Sequence, residues 1–183
     1  MQVVLIGGRA GSGKNTVGNM IKDVLEAHNK EVLILGNGDK VREYAKKYFK
    51  LDDYKKDDNG RRIMIGITDM LYDITPNYFE YQTMLQVFSH QYAIKKEVDY
   101  LIITDWRYPC TYEFFKKEYP VHTLYLHRQG YHRYSKQITG DKSEMPETLK
   151  PYVHKEFFNG DTSLQDLQNL TRLYTERVLL NVE

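Results

Sequence analysis

The sequence predicts an α/β fold, with a parallel sheet of about five strands covered by helices on both faces. Two observations point there. Short aliphatic runs alternate with helical stretches, and a glycine-rich turn joins the first run directly to the first helix. The chain has 183 residues, which leaves room for one hydrophobic core with additional segments laid over it.

Val3-Val4-Leu5-Ile6 is the first strand, too short and without the basic flank of a targeting segment. Between Thr16 and Ala27, the residues Val17, Met20, Ile21, Val24 and Leu25 recur at spacings of three and four, the apolar stripe of a helix packed on a sheet. Glu31–Leu35, Tyr100–Thr104 and Val121–Leu126 are further buried strands. Residues 39–49 read as a second helix, and Ser163–Leu180 as a last one, with Asp161, Thr162 or Ser163 as its cap. Residues 50–62 are polar and charge-mixed and read as a loop with a solvated helix end, and 63–97 are largely helical with a break near Thr75-Pro76. Residues 127–155 carry cations and few aliphatic side chains, so they read as an excursion over the sheet. The expected organisation is one domain: a core of 1–49, 98–126 and 156–183, a helical acceptor-binding region at 50–97 and a lid at 127–155.

Gly8-Arg9-Ala10-Gly11-Ser12-Gly13-Lys14 satisfies G-x-x-x-x-G-K between a strand and a helix, the context in which that spacing makes a P-loop. Glycines let backbone N–H groups turn inward at the positive end of the helix, and lysine reaches the outer phosphates. A tight turn that binds nothing has no need of Lys14. The fold expectation therefore sharpens to a P-loop three-layer sandwich with a helical insertion and a lid. Gly11, Ser12, Gly13 and Lys14 are the candidate nucleotide contacts. The hydroxyl residue that usually follows the lysine is replaced by Asn15, with Thr16 one step later, and the two are alternative contacts for Mg²⁺.

Asp105 ends the apolar run 100–104, a place where an acid orients Mg²⁺ or the acceptor. Arg107, two residues on, can clamp a phosphate through two N–H bonds. A bare turn or helix cap is the structural alternative for Asp105. Asp39 and Arg42 repeat the acid–base pairing after the second strand, where the alternative is a surface ion pair at i, i+3.

Composition excludes several classes. Lys and Arg number 26 against 25 Asp and Glu, a net charge of +1 that offers no extended basic surface for nucleic acid. One cysteine, Cys110, permits neither an internal disulfide nor a cysteine-based metal cluster and agrees with a reducing compartment. No apolar run approaches the roughly 20 residues that span a bilayer, so a cytoplasmic protein without membrane contact is expected. Sixteen tyrosines against one tryptophan are either half-buried packing residues or stacking surfaces for an aromatic ligand.

Gly13-Lys14-Asn15-Thr16 resembles the Gly-Lys-Asp-Thr of phage deoxynucleoside monophosphate kinases. Further segments follow in the same order. Gly38-Asp39-Lys40-Val41-Arg42 is similar to that family's Ala-Asp-x-Leu-Lys, and Thr104-Asp105-Trp106-Arg107-Tyr108-Pro109 to its Thr-Asp-Val-Arg-Phe-Pro. Asp141-Lys142-Ser143-Glu144 resembles its acidic Ser-Glu segment, and Asn159-Gly160-Asp161-Thr162 the segment that opens the last helix. The resemblance implies transfer of the γ-phosphoryl of ATP, with Mg²⁺, onto a deoxynucleoside monophosphate in the cytoplasm, of the host if the protein is viral. It places Arg9, Asp39, Arg42, Arg107, Tyr108 and Glu144 around the acceptor. Asp105 organises the metal, Arg128, Arg133 and Lys136 are lid cations, and Gly160, Asp161 and Thr162 lie near the adenine. It also suggests a homodimer through an exposed face of the 63–97 helices. Two departures stand out: Asn15 replaces an acid, and Cys110-Thr111 stands where the family has Asn-Glu, so that glutamate's role has no carrier here. The other readings are a kinase of another small phosphorylated metabolite, phosphomevalonate-like, and a nucleotide switch that transfers nothing.

Overall fold

The computed structural model describes residues 1–49, 58–128, 146–160 and 163–182. In chain order the elements are β1 (Gln2–Gly8), α1 (Lys14–Ala27), β2 (Val32–Leu35), α2 (Asn37–Phe49), α3 (Asp58–Ile74), α4 (Tyr78–Ile94), β3 (Tyr100–Trp106), α5 (Pro109–Phe115), β4 (Val121–His127), a single turn α6 (Pro146–Leu149), a 3₁₀ turn (Lys150–Tyr152), β5 (Lys155–Phe158) and α7 (Leu164–Tyr174), which runs on into a π-helical turn (Thr175–Leu179).

The five strands form one sheet in the order β2-β3-β1-β4-β5, every pairing parallel. This is the expected three-layer α/β arrangement. The chain leaves β1 toward β2 on one side and later passes from β3 across β1 to β4 on the other. A crevice opens at such a reversal, at the carboxyl ends of the strands.

Alternation along the strands divides the core into two layers. Val4, Ile6, Ile102, Leu124 and Leu126 face α1 and α7, meeting Val17, Ile21, Leu25, Leu167 and Tyr174. Val3, Leu5, Leu101, Ile103 and Tyr125 face the opposite way, against Val87 of α4 and Phe115 of α5. Because both faces are covered, the strands read as unbroken apolar runs. A third, smaller cluster joins Val41 and Ala45 of α2, Met64 and Ile67 of α3, and Phe79 of α4.

β5 and α5 escaped the sequence pattern, and β3 runs past its expected end, for physical reasons. β5 is an edge strand of four residues in which only Phe157 is buried, so it has no apolar run to announce it. α5 spans seven residues with Pro109 in its first turn, shorter than two full periods of a helical stripe. β3 extends past the apolar run to include Asp105 and Trp106, and its register against β1 shifts between Leu5 and Gly7. The break near Thr75-Pro76 is present, with Asn77 at φ 61° turning the chain into α4. α4 buries Phe79, Glu80, Thr83 and Val87, and leaves Tyr81, Leu85, Phe88 and Tyr92 exposed along its other face. No described helix is long and apolar enough to cross a membrane.

Candidate phosphate-binding and acceptor site

β1 delivers the chain to the glycine loop at the carboxyl edge of the sheet, and α1 begins at Lys14 with Gly13 as its N-cap and no side-chain cap. The first amides of α1 therefore have no partner within the helix, which leaves them suited to an anion. Gly8, Gly11 and Gly13 hold φ of 140°, 80° and 97°, a region L side chains disfavour. At Gly8 a Cβ would also stand 2.6 Å from the carbonyl oxygen of Leu126 and 2.7 Å from Ser12 Oγ. Gly8→Ala thus combines backbone strain with a clash against the Leu126 carbonyl, a backbone atom that no side-chain rotation moves aside. It should destabilise the fold by roughly 2–5 kcal/mol, read as a lowered Cm at unchanged m in urea.

Lys14 is only 8% exposed, so its ammonium belongs to the loop. Nζ donates to Gly8 O at 2.7 Å and Arg9 O at 2.8 Å. Two residues from the far side of the sheet brace the same loop. Arg128, just past β4, donates to Gly11 O at 2.8 Å, and Asn159, just past β5, donates through Nδ2 to Ser12 O at 3.1 Å. With Gly11 and Ser12 carbonyls engaged outward, the loop amides are held in one orientation. The Ser12 hydroxyl is buried, and its Oγ has no hydrogen-bond partner among the described residues. A glycine cradle, an engaged lysine and an unpaired hydroxyl fit a polyphosphate such as that of ATP.

A second group of charged side chains lies at the ends of β2 and β3. Asp105 Oδ2 accepts the Gly38 N–H of α2 at 2.6 Å. Asp39 and Arg42 form the i, i+3 ion pair, largely exposed. A Cβ on Gly38 would lie 3.0 Å from Asp105 Oδ2 and 3.5 Å from the Arg42 guanidinium. Asp105, Asp39 and Arg42 therefore meet around the first turn of α2. Arg107 and Tyr108 follow in the segment between β3 and α5. The Tyr108 ring packs on Tyr72 with centroids 5.0 Å apart, and its carbonyl accepts the Trp106 indole N–H at 2.9 Å.

Asn15 and Thr16 are both exposed on the first turn of α1. Among the described residues no group of three or more His, Cys, Asp or Glu could hold a metal ion. The donors present, one carboxylate and a neutral oxygen, suit a magnesium that arrives with nucleotide phosphates and keeps most of its water. Arg133, Lys136, Glu144, Asp161 and Thr162 lie outside the described residues, and Gly160 directly follows Asn159.

Sequence reading gave Asn159 no role and passed over Glu80. Glu80 is fully buried on the first turn of α4. Its Oε1 accepts the Thr111 hydroxyl at 2.6 Å and the Tyr72 hydroxyl at 2.9 Å, while Oε2 has no partner among the described residues. Burial chiefly pushes this carboxyl above the usual range, and the charge of Asp105 adds to the shift. Burial, reinforced by Glu80, also raises the neighbouring Cys110 thiol to about 11, which leaves it unreactive at neutral pH.

The sheet order, the glycine loop between β1 and α1 and the buried lysine together define a P-loop α/β protein. Residues 1–73 match the family model described as adenylylsulphate kinase. That match ends within α3 and leaves Asp105 and Arg107 outside it. No curated protein matches the chain. Among solved structures, the chain is similar to APE1195 at 12% identity, covering 97% of this chain and 96% of that one, with a TM-score of 0.46. A sugar kinase from Janibacter sp. HTCC2649 is 14% identical over 100% and 99% of the two chains, with a TM-score of 0.43. Shikimate kinase from Bacteroides thetaiotaomicron is 13% identical over 98% of each, also at 0.43.

Proposed function

We propose that this protein is an ATP-dependent kinase that transfers the γ-phosphoryl group to a deoxynucleoside monophosphate. The observation that carries the reading is the pairing of two stations on one edge of the sheet. A braced phosphate loop stands at β1–α1, and an acid–arginine group, Asp105 with Asp39 and Arg42, stands at the ends of β2 and β3.

An acceptor phosphate is already a nucleophile at neutral pH, so the chain has no strong base to supply. Its oxygen attacks the γ-phosphorus in line, the bond from that phosphorus to the β–γ bridging oxygen breaks, and ADP leaves with the electron pair. Lys14 and the loop amides neutralise charge on the donor phosphates, and Arg42 and Arg107 align the acceptor phosphate. Magnesium, when bound, spreads the charge of the β and γ oxygens. Asp105, fixed by the Gly38 amide, orients the water shell and holds the arginines in place.

The partial match to adenylylsulphate kinase favours a second reading, with a hydroxyl acceptor and Asp105 as its base. A coupled ADP-release assay over deoxynucleoside and ribonucleoside monophosphates, adenylylsulphate and a few phosphorylated metabolites separates the two. Turnover with adenylylsulphate and with no monophosphate would overturn the first reading. Arg107→Ala should lower transfer by about a hundredfold or more while ATP binding persists. Full activity in that variant would remove Arg107 from the acceptor site.

A further inference from the structure

Glu80 is a fully buried carboxylate that the mechanism above does not use. Its two oxygens are unequal. Oε1 takes both hydroxyl donors, from Thr111 of α5 and Tyr72 of α3, and Oε2 takes none among the described residues. Buried acceptors without partners are rare in folded proteins, and one beside a second carboxylate is doubly unfavourable. The first turn of α4 favours a carboxylate at this position, yet the clasp between two hydroxyls occupies only one of its oxygens.

The surroundings give the group a direction. Tyr72, whose hydroxyl rests on Glu80, carries the ring that packs on Tyr108, and Tyr108 belongs to the segment that links Asp105 and Arg107 to α5. The main chain at Tyr108 is tied to the same unit, its carbonyl accepting the Thr111 amide at 3.3 Å. The acid is thus built into the wall of the acceptor side, opposite in charge to the arginines there.

We infer that Glu80 selects the acceptor: its Oε2 receives a hydrogen-bond donor, a ring N–H, amino or hydroxyl group, from the part of the acceptor that is not phosphate. This rests on the kinase reading and adds to it a discriminating group. Arg42 and Arg107 take the phosphate, which any phosphorylated acceptor offers, and Glu80 takes a donor that only some acceptors offer. A site with an unpaired buried acceptor rejects analogues lacking the matching donor more strongly than an apolar pocket rejects a missing methyl group. Oε2 is closed to solvent, so engagement requires the side chains around it to open.

Glu80→Gln tests this with little change of shape. The amide oxygen still accepts from Thr111 and Tyr72, while an NH₂ group replaces Oε2 and presents a donor to a donor. The expected result is a tenfold or greater rise in acceptor KM, an unchanged ATP KM, and an ATP-induced thermal shift equal to that of the wild type. An unchanged acceptor KM would show Glu80 to be a clasp alone and overturn the inference, as would an equal rise for both substrates. If Glu80→Gln does not fold, the wild type itself decides: matched acceptors with the N–H or amino group methylated should lose at least tenfold in kcat/KM, and equal use of both members of every pair overturns the inference. A wild type that turns over no phosphorylated acceptor overturns the kinase reading, and this inference with it, whereas wild-type activity with an indifferent Glu80→Gln sinks this inference alone.

Discussion

Replacing Lys14 with alanine should cut phosphoryl transfer by about a hundredfold to a thousandfold and abolish the thermal stabilisation that ATP gives the wild type. The buried ammonium is within 2.8 Å of two loop carbonyls, Gly8 O and Arg9 O, so it is already fixed where the outer phosphates will lie. A preorganised cation costs nothing to orient during transfer, and a low-dielectric setting strengthens it. The same geometry predicts a cost in the absence of nucleotide. Two carbonyls lose a charged donor, each such bond contributing about 1.5–3 kcal/mol, so the variant's own Tm should fall. Calorimetry with and without ATP separates the effects. Saturation to 100 times Kd stabilises a protein by about 2.7 kcal/mol, a shift the wild type should show and Lys14→Ala should not. A variant that keeps the full ATP-induced shift would place the triphosphate elsewhere.

The phosphate loop was legible in the sequence because every one of its requirements is local. The glycines answer to positive φ at Gly8, Gly11 and Gly13, the strand before it is apolar on both faces, and the helix after it shows its stripe at three- and four-residue spacings. Asp105 was legible because it follows an apolar run, although the strand itself continues one residue past it to Trp106. What stabilises and directs these groups was not legible. The bond from Asn159 to Ser12 O joins residues 147 apart, and the one from Arg128 to Gly11 O joins residues 117 apart. Glu80 lies among Tyr78, Phe79 and Tyr81 on a helix, where an isolated acid ordinarily faces water. The Thr111 hydroxyl, 31 residues away, and the Tyr72 hydroxyl, each on another element, show that it turns inward. The position where the resembling kinases carry glutamate is thus occupied by a threonine that hydrogen-bonds a carboxylate from α4. Tyrosines divide in the same way. Tyr100 donates to Leu179 O at 2.7 Å and Tyr174 sits in the core under Phe157, whereas Tyr72 and Tyr108 form the wall beside Asp105.

Asp105→Asn should lower transfer by at least about a hundredfold with ATP binding nearly unchanged, because the substitution removes charge without removing shape. Asparagine can still offer an oxygen to the Gly38 amide 2.6 Å away, so the first turn of α2, with Asp39 and Arg42, keeps its place. What disappears is the negative charge near the end of β3, which the proposed mechanism uses to balance the arginines and to order magnesium-bound water. The variant also reports on Glu80. The folded state holds the Glu80 carboxyl above the ordinary carboxylate range, mainly through burial and in part through Asp105. A carboxyl raised by folding binds its proton more tightly in the native than in the unfolded state, so stability falls as pH climbs from that range toward the folded value and then levels off. Removing the Asp105 charge lowers that folded value and narrows the window over which stability is lost. Urea unfolding of the wild type and of Asp105→Asn across the acid range should therefore show a shallower decline in the variant. Parallel curves would mean that the two carboxyls do not sense one another, and that Asp105 acts on the acceptor side through its bond to Gly38 alone.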